Sequence, residues 1–213
     1  MHEVTRSRTG KMSNTAEICN TKKANYLAYY DLERYLFEEV NQRFHQNHYL
    51  SAFDFFSIVI WKANRAKSRI ARKLLAKDPK QRKDLEAIVR TLTGALYEAA
   101  DHKERLRISI KDWGFALPMA SAILTVCWPD DFTVYDYRVR ERLTDFPELK
   151  NLTDFDKIWT GYQKYKDAVE GSVDLQLNLR DKDRYLWGES AAMQLKDDIL
   201  RLFVKADSET EIQ

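Results

Sequence analysis

KDWGFALPMASAILTVCWPDDFTVYDYRVRERL, residues Lys111 to Leu143, decides how the rest of the chain is read. It opens on a tight break at Trp113-Gly114. An apolar run of helix length follows, from Leu117 to Trp128, and Pro129 with Asp130 and Asp131 ends it. A short extended piece, Phe132-Thr133-Val134-Tyr135, then leads into Asp136 and a basic helix beginning Tyr137-Arg138-Val139-Arg140. One carboxylate therefore arrives at the mouth of a helix, a helix length after a glycine turn. The first turn of a helix leaves backbone N–H groups unpaired at the positive end of its dipole, which attracts phosphate. Gly114 suits a close approach of a nucleic-acid strand to the turn, and Lys111 lies just ahead of it.

Outward from this stretch the chain reads as helical. Six glycines and four prolines in 213 residues argue against a turn-rich sandwich or barrel. A 32% charged, 44% hydrophobic composition is that of an ordinary globular domain large enough to bury a core. Residues 1–21 are polar and aperiodic and read as a flexible leader; 22–205 read as a single all-α domain, and 206–213 as a polar tail. Apolar positions recurring at three- and four-residue steps from Tyr26 to Phe44 predict a helix over Lys23 to Gln46. Ser51 caps an apolar helix carrying Phe53, Phe55, Phe56 and Trp61, aromatics that suit a core. Pro79 starts a further helix to about Ala100, and the segment DHKERLR reads as a charged link. Thr153 is the expected cap of a helix ended by Gly171, and the chain closes with a helix pair or one helix interrupted at Gly188.

The formal net charge is only +2, so charge distribution carries more than the total. Lys62, Arg65, Lys67, Arg69, Arg72, Lys73, Lys77, Lys80, Arg82 and Lys83 stand against one acid, Asp78. Such a run is either a solvated helix face or a patch that tracks phosphates and releases counterions. Cys19 and Cys127 lack CxxC spacing, and the four histidines form no ligand motif, which argues against disulfides, zinc or any other metal. A reducing, cytoplasmic setting follows. No apolar run reaches spanning length and the N-terminus lacks a signal-peptide core, so no membrane partner is expected.

The pattern G-x-x-x-x-x-A-S-A-I-L followed by P-x-x-F-x-V-x-D-x-R-V resembles the helix-hairpin-helix DNA glycosylase superfamily, with its endonuclease III and 8-oxoguanine glycosylase branches. In that superfamily a glycine hairpin grips the DNA backbone, and an aspartate after a short extended segment faces a flipped nucleotide. The resemblance covers about thirty residues and matches Gly114 to the hairpin glycine, Ala120-Ser121-Ala122 to the small helix face, and Asp136 to the aspartate. It implies a DNA partner, contacted by Lys111, Gly114, Ala116, Ser121, Arg138 and Arg140 and by Lys62, Arg65 and Arg69 of the basic run. Trp61, Trp113, Tyr135 and Trp187 are the candidates for stacking on an extruded base.

The departures narrow the expectation. Ala116 stands where the family hairpin usually has its second glycine. Pro118 stands where bifunctional members carry the lysine that forms a Schiff base, so a monofunctional N-glycosylase is implied. The C-terminal region holds no cysteine, which removes the iron–sulfur cluster of some members, and no cofactor is expected. Asp136 is then either the group that assists cleavage of the base–sugar bond or an ordinary helix cap. Arg138 and Arg140 either contact phosphate or pair with Glu141 or Asp145. Two other classes stay open: a non-catalytic DNA- or RNA-binding module on the same scaffold, and a helical protein-interaction factor.

Overall fold

Every regular element is helical among the residues that the computed structural model describes: 26–77, 84–143, 146–149, 151–173 and 176–203. The expected leader and tail, and the start at Pro79, lie outside these residues.

A 3-10 turn, Tyr26–Tyr29, precedes α1 (Leu32–Arg34), a π-helical stretch (Tyr35–Val40) and α2 (Asn41–Asn47). The single helix expected over Lys23 to Gln46 is thus broken. Asp31 is the cause, since its side chain accepts from Arg34 N and starts a new helix, leaving Tyr26 and Tyr30 exposed. α3 (Ala52–Ala63) begins where Ser51 accepts from Asp54 N, as the sequence implied. α4 (Lys67–Lys77) buries only Ile70 and Leu74 and turns its cations outward. α5 (Leu85–Glu98) is capped by Asp84, which bonds two backbone N–H groups.

The DHKERLR segment is a helix rather than a link. Asp101 caps α6 (His102–Arg107), which runs on into a π turn, Ile108–Asp112. α7 (Leu117–Cys127) is apolar all round, and every residue except Pro118 is buried. It is the centre of the molecule, packed by α2, α3 and α6.

α8 (Tyr137–Arg142) is capped by Asp136. α9 (Phe155–Ser172) is capped by Asp154 rather than Thr153, because the Asp154 carboxylate accepts from both Asp156 N (2.9 Å) and Lys157 N (3.2 Å). α10 (Leu179–Asp198) passes through Gly188 without a break and ends in a π turn, Ile199–Phe203. Gly188 is exposed and a Cβ there would meet nothing, so this glycine costs some helix propensity but forces no turn. α10 lies against α8 and α9, which brings its first three turns to the segment carrying Asp136.

Candidate functional site

Among the described residues the extended segment before Asp136 has no partner strand, although Phe132, Thr133, Val134 and Tyr135 are all buried. Buried backbone groups need partners, and here side chains supply them. Tyr162 on α9 accepts from Thr133 N (3.0 Å) and donates to Thr133 O (2.7 Å). One turn on, Tyr165 donates to Val134 O (3.0 Å) and accepts a longer bond from Asp136 N (3.4 Å). Ser121 on α7 accepts from Tyr135 N (2.9 Å). Two phenols at an i,i+3 spacing thus replace a neighbouring strand, and burial pushes both hydroxyl pKa values up. Asp136 sits at the end of this pinned segment.

Its two oxygens have separate tasks. Oδ1 accepts from Arg138 N (3.0 Å) and caps α8. Oδ2 takes the ammonium of Lys62, from the last turn of α3. Both side chains open into a cavity of about 360 Å³, whose walls include Trp61 and Trp187. That volume is at the lower end of the ~300–1,000 Å³ of small-molecule sites.

A second charged group lines the same cavity. Arg180, near the start of α10, donates from Nη2 to Glu33 and from Nη1 to Asp183 Oδ2, both at 2.5 Å. Its guanidinium lies over the rings of Phe37 (4.7 Å) and Trp61 (5.2 Å). Asp183 is 3% exposed. Burial pushes its carboxyl up to about 6, against the pull of Arg180 and Lys62 and with help from the Asp136 charge. Arg180 Nε and Asp183 Oδ1 are buried and have no hydrogen-bond partner.

Four of the residues singled out in the sequence meet here: Trp61, Lys62, Asp136 and Trp187. Lys62 is taken up by Asp136 and is not a free phosphate contact. Others go elsewhere. Ser121 is fully buried and pins the backbone, so it has no surface to offer DNA. Tyr135 is buried with its hydroxyl accepting from Leu149 N (2.8 Å), and Trp113 packs half-buried against the core, so neither lines the cavity. Gly114 has φ +69°, the left-handed conformation a glycine favours, and its carbonyl accepts from Lys73. It does not line the Asp136 cavity. Lys111 donates to Thr153 O (2.8 Å), and Ala116 is the exposed residue before α7. Arg138 bonds Gln194 (2.7 Å), and Arg140 pairs with Glu148 (3.5 Å) rather than with Glu141; Asp145, the other expected partner, lies outside the described residues. Arg65 and Arg69 are exposed.

Sequence reasoning missed Glu33, Arg180, Asp183 and Arg184. Positions 180, 183, 184 and 187 fall on one helical face, a periodicity available in RDKDRYLW, which reads as helical but from which only Trp187 was singled out.

No known family, curated protein or solved structure matches the chain. Among the described residues no histidine, cysteine or acidic cluster could hold a metal ion, and no helix is long and apolar enough to cross a membrane.

Proposed function

We propose that this protein is a DNA-repair enzyme of the helix-hairpin-helix type, an N-glycosylase that acts on a nucleotide flipped out of duplex DNA. The observation that carries this reading is the Asp136–Lys62 pair opening into a cavity walled by Trp61 and Trp187. Extruding a base costs a few kcal/mol, and stacking on an aromatic side chain returns ~1–3 kcal/mol. As the C1′–N bond breaks, its electron pair leaves with the base and the sugar becomes cationic. Asp136 supplies negative charge to that cation and can take a proton from the attacking water. The Gly114 turn and the exposed Arg65 and Arg69 are the proposed backbone contacts.

Base release from a panel of lesion-bearing duplexes tests this, with Asp136→Asn as control. The expected result is release from at least one duplex, slowed about 10²-fold or more in the variant. No release from any duplex would reject the enzyme. Salt-sensitive duplex binding that survives Asp136→Asn, without release, would favour a binding module.

The position of Lys62 favours a second reading. A Schiff-base lysine is missing at Pro118, but α3 supplies an amine directly to Asp136. Attack of that amine on C1′, with the C1′–N electron pair leaving on the base and the amine proton passing to solvent, would give an imine that borohydride traps. β-Elimination of the 3′ phosphate would then cut the strand. Trapping that disappears in Lys62→Gln would make the enzyme bifunctional.

A further inference from the structure

The cavity holds two carboxyl groups in unlike surroundings. Asp136 is ion-paired, hydrogen-bonded to the α8 backbone and partly exposed. Asp183 is enclosed, and only Oδ2 has a partner, Arg180 Nη1. If Asp183 existed only to anchor Arg180, a buried oxygen without a donor would be an uncompensated cost. A proton on Oδ1 removes the charge that burial penalises, but it then leaves an O–H with no acceptor among the described residues. No described residue supplies that acceptor, while the Asp183 side chain is part of the cavity lining.

We infer that Asp183 is a second catalytic residue of this site, the acid that protonates the departing base while Asp136 serves the sugar. This rests on the glycosidic reading above. The C1′–N bond breaks and its electrons move to the base; the Asp183 proton goes to a base nitrogen or oxygen. Water forms the new C1′–O bond and gives its extra proton to Asp136, which releases it to solvent as solvent reprotonates Asp183. The net reaction is hydrolysis, with no other reactant. Two carboxyls tuned apart by burial and by ion pairing are the recurring signature of an acid beside a stabilising anion. The charged and titratable groups facing Asp183 are Arg180 on its own helix, Lys62 from α3, Asp136 ahead of α8, and Tyr162 and Tyr165 from α9. Glu33 and Arg184 complete the charged lining. The raised Asp183 carboxyl, at about 6, is in the range where an acid still carries its proton in mildly acidic solution.

The test is single-turnover base release by the full chain, on the duplex that wild type processes fastest, from about pH 5 to about pH 8. Wild type is expected to slow as pH rises through about 6. Asp183→Asn should lose about 10²–10⁴-fold and that alkaline fall, while still binding the duplex. Asp136→Asn should be slow yet keep the fall. An Asp183→Asn enzyme within about threefold of wild type, or one with the alkaline fall intact, would overturn the inference and leave the glycosidic reading standing. Failure of wild type to release any base would remove both. Should the variant not fold, carbon NMR of the aspartyl carboxyls in wild type decides: one midpoint near 6 is expected, and its absence overturns the assignment.

Discussion

Tyr162→Phe is the most direct probe of how Asp136 is held. The substitution keeps the buried ring and removes one oxygen, which both accepts from Thr133 N and donates to Thr133 O. Thr133 and Tyr162 are fully buried, so water does not readily take over either bond. A buried polar group left without a partner costs ~1–3 kcal/mol, so two of them together set the loss at about 2–4 kcal/mol after some relaxation. Thr133 Oγ1 is buried and unpartnered and is the nearest rescue available, by turning toward its own backbone. The pair Tyr162→Phe and Thr133→Val, alone and combined, separates these effects. Urea unfolding reads the shift in midpoint at constant slope, with Tyr185→Phe on the exposed face of α10 as the neutral control. A Tyr162→Phe loss below about 0.5 kcal/mol, in the Thr133→Val background as well, would refute the idea that phenols stand in for a strand.

Three further outcomes follow from the same geometry. The folded Asp183 carboxyl is raised from 3.8 to about 6, so the folded state binds the extra proton between these values. Its contribution is full below the unfolded pKa and is lost as pH rises through about 6. At ~1.4 kcal/mol per pKa unit that is about 3 kcal/mol, read as a pH-dependent difference between wild type and Asp183→Asn in denaturant melts. Gly114→Ala should destabilise by about 1 kcal/mol, because φ +69° is strained for any residue with a Cβ; urea unfolding measures it. Arg65→Glu with Arg69→Glu should weaken duplex binding and flatten its salt dependence, with little change in stability, since both are exposed. An unchanged salt slope would mean that this face is merely solvated.

Much of the fold was legible because local chemistry and tertiary packing agree. Ser51 caps α3, α7 is apolar all round, and Asp136 follows an extended piece, each as the pattern implies. Boundaries failed where a competing cap was stronger: Asp31 splits the first helix, and Asp154 displaces Thr153. The site was legible in part. Asp136, Trp61 and Trp187 were named for the chemistry they could do, but Lys62 was read as a DNA-backbone contact at the head of a basic run and not as a partner of Asp136. Its partner lies 74 residues away, a separation that no local pattern encodes. Arg180 and Asp183 were hidden for a related reason. An i,i+3 ion pair is ordinary on a helix surface, and only tertiary packing turns this one inward.

That inward turn bears on function more than any single residue does. An apolar face at positions 180 and 183 of α10 would bury more cheaply than an arginine and an aspartate, each with one polar atom unsatisfied. The same holds for Lys62 and Asp136, a largely enclosed ion pair beside two tryptophans. Arg180, Asp183, Lys62 and Asp136, four of the six ionisable side chains that line the cavity, meet there at the expense of stability, while Tyr162 and Tyr165 fix the segment beneath them. A scaffold under selection for stability alone would replace such a cluster with packing. On the glycosidic reading proposed above, a ligand would complete its hydrogen bonds, offering an acceptor to Asp183 and a cationic centre to Asp136. A nucleotide losing its base presents both at once, on one molecule.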